Sequence, residues 1–121
     1  MGSRNYKDLI VWQKSMDLVT EVYKLTSNFP SSEVYGLVSQ MRRAAVSIVS
    51  NIAEGSKRNT KKDFNQFLAI AMGSGAELET QIEISTRLKF ADQSYFTSVN
   101  SLLNEVMRML NKMVMSLKTI N

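Results

Sequence analysis

The feature that most constrains this chain is a three-and-four spacing of apolar residues that continues through four long segments. That spacing lines up apolar side chains along one side of an α-helix, whereas a strand would need strict alternation. The pattern breaks at Pro30, which cannot continue a helix, after Gly55, and between Phe90 and Ser94. We therefore predict four helices, at about residues 8–28, 33–54, 61–89 and 94–118, in a single domain that covers residues 1–121.

The connections between the predicted helices are short, and short connections favour antiparallel packing of neighbouring helices. The predicted fold is therefore all-α, an antiparallel up-down-up-down four-helix bundle. Its predicted inner faces are Leu9, Trp12, Met16, Val19 and Tyr23 on the first helix, Val34, Leu37, Met41, Ala45, Ile48 and Ile52 on the second, Phe64, Phe67, Leu68, Ala71, Leu78, Ile82 and Leu88 on the third, and Phe96, Val99, Leu103, Val106, Leu110, Met113 and Leu117 on the fourth.

Polar residues and a glycine mark the ends of the predicted helices. Ser31 or Ser32 is predicted to cap the second helix. Thr60 is predicted to cap the third, with Asp63 three residues later in a weaker form of the capping box. Gly55 is predicted to end the second helix in a left-handed conformation.

Two of the predicted helices carry more apolar residues than one inner face requires. The additional residues are Val11, Leu18, Val22, Leu25 and Phe29 on the first helix and Leu102, Met107, Met109, Val114 and Met115 on the fourth. A monomer would then expose more apolar surface than soluble monomers usually do. We therefore predict a homo-oligomer that forms through helices one and four.

The composition excludes most protein-borne chemistry. The chain has no cysteine and no histidine, which removes disulfides, thiolate nucleophiles, imidazole bases and the usual zinc and haem ligands. Carboxylates occur at Glu77, Glu79 and Glu83, but a di-metal bundle site also needs histidines on facing helices. We therefore predict no catalytic site, no metal and no cofactor, and hence a protein that is not an enzyme.

The chain also lacks the sequence marks of a membrane or secreted protein. No apolar run approaches the ~20 residues of a membrane span, and no basic segment followed by a hydrophobic stretch resembles a signal peptide. A cytoplasmic location without membrane attachment is therefore expected.

The sharpest charge feature is the run Lys57-Arg58-Asn59-Thr60-Lys61-Lys62, which holds four cations and no acid. Most such runs are solvated loops.

In an up-and-down bundle, however, this connection lies at the same end as both chain termini. That end is predicted to gather Arg4, Lys7, Lys57, Arg58, Lys61, Lys62 and Lys118 against Asp8, Glu54 and Asp63, while the opposite end holds Lys24 and Lys89 against Glu21, Glu33 and Asp92. A basic end of this kind is suited to phosphates. Because the run has no aromatic residue to stack on bases, sequence-specific reading is not indicated.

Two structural features are predicted between the second and third helices. Folding one helix back on the other brings Arg42 or Arg43 near Glu77, and an ion pair is expected there. In Gly73-Ser74-Gly75-Ala76, each glycine costs about 1 kcal/mol against alanine inside a helix. This segment, with Gly73 as a structural residue, is therefore expected to mark a close approach of helices, with a kink as the alternative.

Several blocks of the sequence carry a resemblance to a known family. They are Tyr6-Lys7-Asp8-Leu9, Val11-Trp12-Gln13-Lys14, Phe29-Pro30, Tyr35-Gly36-Leu37, Gln40-Met41-Arg42-Arg43-Ala44-Ala45-Val46-Ser47-Ile48, Asn51-Ile52-Ala53-Glu54-Gly55, Phe67-Leu68-Ala69-Ile70-Ala71, Gly73-Ser74 and Glu77-Leu78-Glu79. Together they span nearly the whole chain and closely resemble the four-helix bundle family of 23S rRNA intervening sequence proteins.

This resemblance implies an up-and-down bundle assembled into a closed ring, typically of five subunits, in a bacterial cytoplasm. A similar bundle is the accessory variability determinant of diversity-generating retroelements, a basic ring that binds nucleic acid and a reverse transcriptase. The resemblance implies that most of the shared blocks serve helix packing. It leaves Arg42, Arg43, Lys57 and Arg58 as candidate ligand contacts.

Two functions follow as hypotheses. The first is a non-enzymatic oligomeric bundle that binds RNA or DNA without strong sequence preference, through Lys57, Arg58, Lys61 and Lys62. The alternative is a protein–protein scaffold that docks a nucleic-acid-processing enzyme such as a reverse transcriptase.

Overall fold

The computed structural model describes the backbone of residues 5–119 and the side chains of residues 5–117. The chain forms a 3-10 turn at Tyr6–Asp8 and helix α1 at Ile10–Thr26, followed by a second 3-10 turn at Ser31–Glu33. Three longer helices come after it: α2 at Leu37–Ser56, α3 at Lys61–Arg87 and α4 at Gln93–Thr119. The prediction of four helices is confirmed, and residues 5–119 contain no strand.

The four helices surround one core. Helix α1 packs against α2 and α4, and α3 packs against the same two helices. Two side-chain contacts between the first and last helices show how these pair: Ser98 Oγ donates to Glu21 Oε1 at 3.2 Å, and Lys14 Nζ lies 3.5 Å from Glu105 Oε2. The core is filled by large side chains that are almost wholly shielded from solvent, including Leu18, Met41, Ile48, Leu68, Leu78, Phe96 and Leu103.

The inner face of α1 differs from the prediction. The buried residues are Val11, Ser15, Leu18, Val22, Leu25 and Thr26, which include most of the line that had been assigned to self-association. On the line predicted to face inward, Met16 and Tyr23 keep 40% and 41% of their surface exposed. The predicted inner face of α1 is therefore only partly correct, since Leu9, Trp12 and Val19 are partly buried against the core but Met16 and Tyr23 are not. Two apolar lines lie side by side on this helix, and periodicity alone does not rank them.

The inner faces of the other three helices agree better with the prediction. On α4, Phe96, Val99, Leu103, Val106 and Leu110 are all buried. Three of the predicted residues do not belong to the core. Val34 precedes α2 and Leu88 follows α3, and about half of each is exposed. Phe67 is partly buried in the second turn of α3, beneath the Arg58 guanidinium.

Helix α2 begins four residues later than predicted, and its first turn is capped differently. Ser31 and Ser32 belong to the 3-10 turn and do not cap α2, whose N-cap is Gly36. Glu33 supplies the polar contact instead, since its Oε1 accepts from the backbone N–H of Leu37 at 3.3 Å. A Cβ on Gly36 would lie 3.1 Å from that oxygen, so the glycine leaves room for the carboxylate.

The last turn of α2 lies close to α3. The helix runs on to Ser56, and Gly55 does not adopt the predicted left-handed conformation. Gly55 is buried instead, and a Cβ there would lie 2.7 Å from Phe67 Cβ and 2.9 Å from Phe64 Cδ1. The missing side chain lets the last turn of α2 approach α3 closely.

The second glycine site also differs in detail from the prediction. Helix α3 is continuous through Gly73, and a Cβ on Gly73 would meet no atom within 4 Å. The close approach occurs at Gly75, which is buried and where an added Cβ would overlap the Sδ of Met107 on α4. The close approach expected in this segment therefore occurs at Gly75, while Gly73 has no such role.

Candidate nucleic-acid interface

The connection between α2 and α3 is short and well anchored. Thr60 is the N-cap of α3, and its Oγ1 accepts from the backbone N–H of Asp63 at 3.1 Å, as predicted. The first turn of a 27-residue helix therefore begins at Lys61, within the cationic run. The positive end of the helix dipole adds to the lysine charges at this point.

The cations of this connection are in two different states. Lys57, Lys61 and Lys62 are exposed, and the ion pairs within residues 5–117 include none of them. Arg58 is held on α2 and α3: its Nη2 lies 2.7 Å from Glu54 Oε2, and its guanidinium stacks 4.6 Å from the centre of the Phe67 ring. These three lysines can therefore meet a phosphate without breaking an ion pair within residues 5–117, while Arg58 shares its charge with a carboxylate.

The beginning of the described chain comes to the same place. Lys57 Nζ lies 5.6 Å from the centre of the Tyr6 ring, and that ring meets Trp12 edge-on at 5.5 Å between centroids. An open groove of about 490 Å³ runs between Tyr6, Lys57 and Arg58. The sequence run itself contains no aromatic residue. Tyr6 was missed because it comes from a distant segment, and Phe67 because it was assigned to the inner face of the third helix.

The end of α4 also lies near the start of α1. Leu9 and Ile10 share an open apolar groove of about 680 Å³ with Met109, Lys112 and Met113. The predicted basic end therefore includes Lys7 and Lys112 as well as the cations of the α2–α3 connection. The acidic residues at this end are Asp8, Glu54 and Asp63. Arg4 and the side chain of Lys118, which the prediction also placed here, lie outside the described residues.

Arg42 and Arg43 do not join this surface. Arg42 Nε donates to Thr26 Oγ1 of α1 at 3.0 Å, and its guanidinium lies 4.2 Å from the centre of the Tyr23 ring. Arg42 and Lys57 are fifteen residues apart on α2, about 22 Å along the helix axis. The six predicted nucleic-acid contacts therefore divide into two separate groups.

The predicted ion pair with Glu77 is wrong for Arg42, because that side chain is turned toward α1. Arg43 and Glu77 are both exposed, and neither takes part in an ion pair within residues 5–117. The side of α2 that meets α3 carries small polar groups instead: Ser47 Oγ and Ser74 Oγ are 2.8 Å apart. The hydroxyl pair links these two helices where an arginine clamp had been expected.

Arg42 and Arg43 line a groove of their own, at the end of α2 opposite the basic end. Its volume is about 610 Å³, and its other walls include Tyr23, Val34, Tyr35 and Val46. Tyr35 keeps 94% of its surface exposed, which is the largest exposure of any large apolar or aromatic residue in residues 5–117. Sequence reasoning missed this groove, because its parts come from α1, the connection and α2.

Other kinds of site are not apparent in the part of the chain that the structure describes. Residues 5–117 hold no group of three or more Asp, Glu, His or Cys side chains that is suited to a metal ion. Among the described helices, none is long and apolar enough to cross a membrane.

Four helices around one core, with exposed lysines at one connection, define a helical-bundle protein whose candidate interface is a charged surface. The chain belongs to the 23S rRNA-intervening sequence protein family, whose sequence model matches residues 7–112. A solved structure with a similar fold is a protein of unknown function from the S23 ribosomal protein family of Bacteroides thetaiotaomicron, with a TM-score of 0.78 and 24% sequence identity. The match covers 87% of this chain and 98% of that one, and at this identity it shows the fold alone. No curated protein matches the chain in sequence.

Proposed function

We propose that this protein is a non-enzymatic oligomeric bundle that binds RNA or DNA, without strong sequence preference, through its basic end. The observation that carries the proposal is a set of three exposed lysines that take part in no ion pair within residues 5–117: Lys57 at the C-cap of α2, and Lys61 and Lys62 in the first turn of α3. Arg58 contributes a fourth positive charge that Glu54 partly offsets. The family description refers to sequences that interrupt 23S rRNA, which agrees with a role near nucleic acid in the bacterial cytoplasm.

Binding at this surface would be electrostatic. Each lysine that meets a phosphate releases condensed counterions, so the affinity falls as salt rises. Lys57 lies beside Tyr6 and Arg58 stacks on Phe67, so one face of each ring already meets a cation. Contacts of lysines with phosphates carry no sequence information, which agrees with binding without sequence preference.

The proposal includes antiparallel helices and self-assembly. The contacts Glu21–Ser98 and Lys14–Glu105 support opposite directions for α1 and α4, because residue numbers fall on one helix as they rise on the other. The apolar groove between the start of α1 and the end of α4, where Ile10 is 62% exposed, supports association through these helices. A closed ring, with five subunits as the resemblance implies, would bring several basic ends together and multiply their field.

The alternative function is a scaffold that docks a nucleic-acid-processing enzyme, such as a reverse transcriptase. One observation favours it: Tyr35 is 94% exposed beside Arg43, at the end of α2 opposite the basic end. Tyrosine and arginine are the residue types that most often dominate protein–protein binding energies. Both functions can coexist, because the two surfaces are separate.

Charge reversal tests the leading proposal. The triple variant Lys57→Glu, Lys61→Glu, Lys62→Glu is expected to lose binding to structured RNA, single-stranded DNA and duplex DNA in a gel shift at low salt. The matched control is the triple variant Lys24→Glu, Lys89→Glu, Arg108→Glu, which changes the net charge equally at exposed positions elsewhere. Equal binding by the two triple variants would refute the site, and absence of binding by the unmodified protein would refute the function.

A further inference from the structure

The groove at the junction of α1 and α2 combines three kinds of surface. Val34 and Val46 expose 49% and 41% of their area and form apolar walls. Two guanidinium groups, those of Arg42 and Arg43, stand beside them. Tyr35 lies at the edge, almost completely exposed, although burial of a tyrosine ring is ordinarily favourable. An exposed aromatic ring beside arginines is typical of the anchor points of protein interfaces.

One of the two arginines is fixed before any partner arrives. Arg42 donates to Thr26 Oγ1 at 3.0 Å and lies 4.2 Å from the centre of the Tyr23 ring. These contacts join α2 to α1, so the position of the guanidinium is set by two helices. An oriented cation loses little conformational entropy when it binds, which favours affinity. Arg43 is exposed and makes no ion pair within residues 5–117.

The lining of the groove contains no carboxylate. Its two positive charges therefore have no compensating acid within the groove itself. Guanidinium groups bind carboxylates strongly because two parallel N–H groups match two oxygens. The apolar walls beside them suit a bulky apolar side chain. The complementary ligand is consequently a carboxylate placed near a large apolar group.

The charges around the groove argue against nucleic acid as its ligand. Lys24 Nζ lies 3.4 Å from Glu21 Oε2, so that nearby cation is already paired. Glu33 lies in the turn just before Val34 and caps α2 through Leu37. A polyanion needs a row of cations along its backbone. This end of the molecule provides two arginines within mixed charge, which suits a short acidic segment better.

We propose that this groove is a docking site for an acidic peptide segment of a partner protein, in which one or two carboxylates flank a bulky apolar residue. The carboxylates pair with Arg43 and Arg42, and the apolar side chain packs between Val34, Val46 and Tyr35. Arg42 in this groove lies about 22 Å along the axis of α2 from Lys57 of the basic end. The bundle then holds a protein partner at one end and leaves the other free for nucleic acid. This docking does not depend on whether the basic end binds nucleic acid.

Fluorescence polarisation with labelled synthetic peptides tests the proposal on the full-length protein. The probe is a panel of short peptides that carry two glutamates at varied spacing from one phenylalanine, leucine or tryptophan. Matched peptides replace the glutamates by glutamine or the apolar residue by alanine, and a labelled oligothymidylate is the nucleic-acid arm. The expected result is saturable binding of acidic–apolar peptides, at least about tenfold tighter than the glutamine versions.

Two exposed substitutions locate the binding. Arg43→Glu is expected to weaken peptide binding at least about tenfold, and Tyr35→Ala by severalfold, because each removes one side of the recognition. Arg108→Glu and Tyr95→Ala, exposed changes of the same types on α4, are the matched controls and are expected to leave the affinity unchanged. The lysine triple variant of the basic end is expected to bind the peptide normally, which separates this proposal from nucleic-acid binding.

Three results would overturn the proposal. One is a panel in which no acidic–apolar peptide exceeds its glutamine version. Another is peptide binding that Arg43→Glu leaves unchanged. The third is evidence that the groove binds a different ligand. Oligothymidylate binding that Tyr35→Ala abolishes would show that the ligand is nucleic acid. An oligomer that Tyr35→Ala dissociates in sedimentation, together with no peptide binding by the unmodified protein, would show that it is a second copy of the chain.

Discussion

Alanine substitutions at Gly55 and Gly73 are predicted to change stability in opposite directions. Both glycines are helical, and alanine should gain about 1 kcal/mol of helix propensity at Gly73 in the middle of α3 and at most that much at Gly55 in the last turn of α2. The surroundings differ. A Cβ on Gly73 meets nothing within 4 Å, so Gly73→Ala should keep that gain. A Cβ on Gly55 would lie 2.7 Å from Phe67 Cβ and 3.3 Å from the backbone oxygen of Phe64, so Gly55→Ala should force α2 and α3 apart.

The size of the effect follows from which atoms are in the way. Phe67 Cβ and Phe64 O cannot rotate aside, because both are fixed to the backbone of α3. Overpacking of this kind costs about 1–3 kcal/mol, and with fixed atoms the upper figure applies. After subtraction of the propensity gain, Gly55→Ala should destabilise the protein by about 2 kcal/mol. For a chain of this length that corresponds to a melting temperature lower by about 6–8 °C, against a rise of about 3 °C for Gly73→Ala.

Urea unfolding followed by far-ultraviolet circular dichroism measures both variants. Protein concentration must be held equal throughout, since the proposed self-association would make the midpoint concentration-dependent. Gly75→Ala provides a third comparison, because the atom it would meet belongs to the flexible side chain of Met107 and the loss should be smaller than at Gly55. Equal stabilisation by Gly55→Ala and Gly73→Ala would refute the close packing of α2 on α3 at Gly55.

Three further predictions concern the connection and the predicted ion pair. Thr60→Ala should lower the free energy of unfolding by about 1 kcal/mol, because it removes the side-chain acceptor of the Asp63 N–H. Thr60→Ser should keep most of the stability. Equal melting temperatures of the two variants would contradict the cap. Glu54→Gln should strengthen nucleic-acid binding severalfold in a titration at low salt, because Arg58 loses its carboxylate partner. The unfolding free energy should change by less than about 1 kcal/mol, since the ion pair is exposed. Weaker binding would count against this prediction. Glu77→Gln should leave the melting temperature unchanged, since Glu77 is exposed and in no ion pair within residues 5–117; a clear loss of stability would contradict its assigned surroundings.

Features of the fold that depend on local sequence could be predicted. Pro30, the Thr60 cap and the regular apolar spacing of α4 each act within one turn or along one helix, and the structure confirms the helices they define. Gly55 shows where local reasoning fails. A glycine near a helix end usually adopts a left-handed conformation, but this one stays helical and instead admits the side chains of Phe64 and Phe67. Which role a glycine has depends on the neighbouring helix, and the sequence does not show that neighbour.

The candidate sites divide in the same way. The exposed lysines could be identified because a cationic run between two helices is a local feature. The surroundings of the arginines could not be, since the direction in which Arg42 points depends on the rotation of α2 about its axis. On α1, two adjacent apolar lines left the rotation of that helix about its own axis undetermined. The line that the structure buries, which includes Leu18 and Val22, was predicted to contribute to self-association. The groove beside Tyr35 depends on both rotations, so no single segment indicated it.

The salt dependence of binding tests the central proposal, that the exposed lysines of the α2–α3 connection bind phosphates. The measurement is the slope of the logarithm of the binding constant against the logarithm of salt concentration, for duplex DNA and for the variant Lys57→Ala, Lys61→Ala, Lys62→Ala. Each phosphate contact with duplex DNA contributes about −0.9 to the slope, so the variant should bind more weakly and its slope should be shallower by about 2 to 3 per subunit engaged. A variant with the slope and affinity of the unmodified protein would contradict the account.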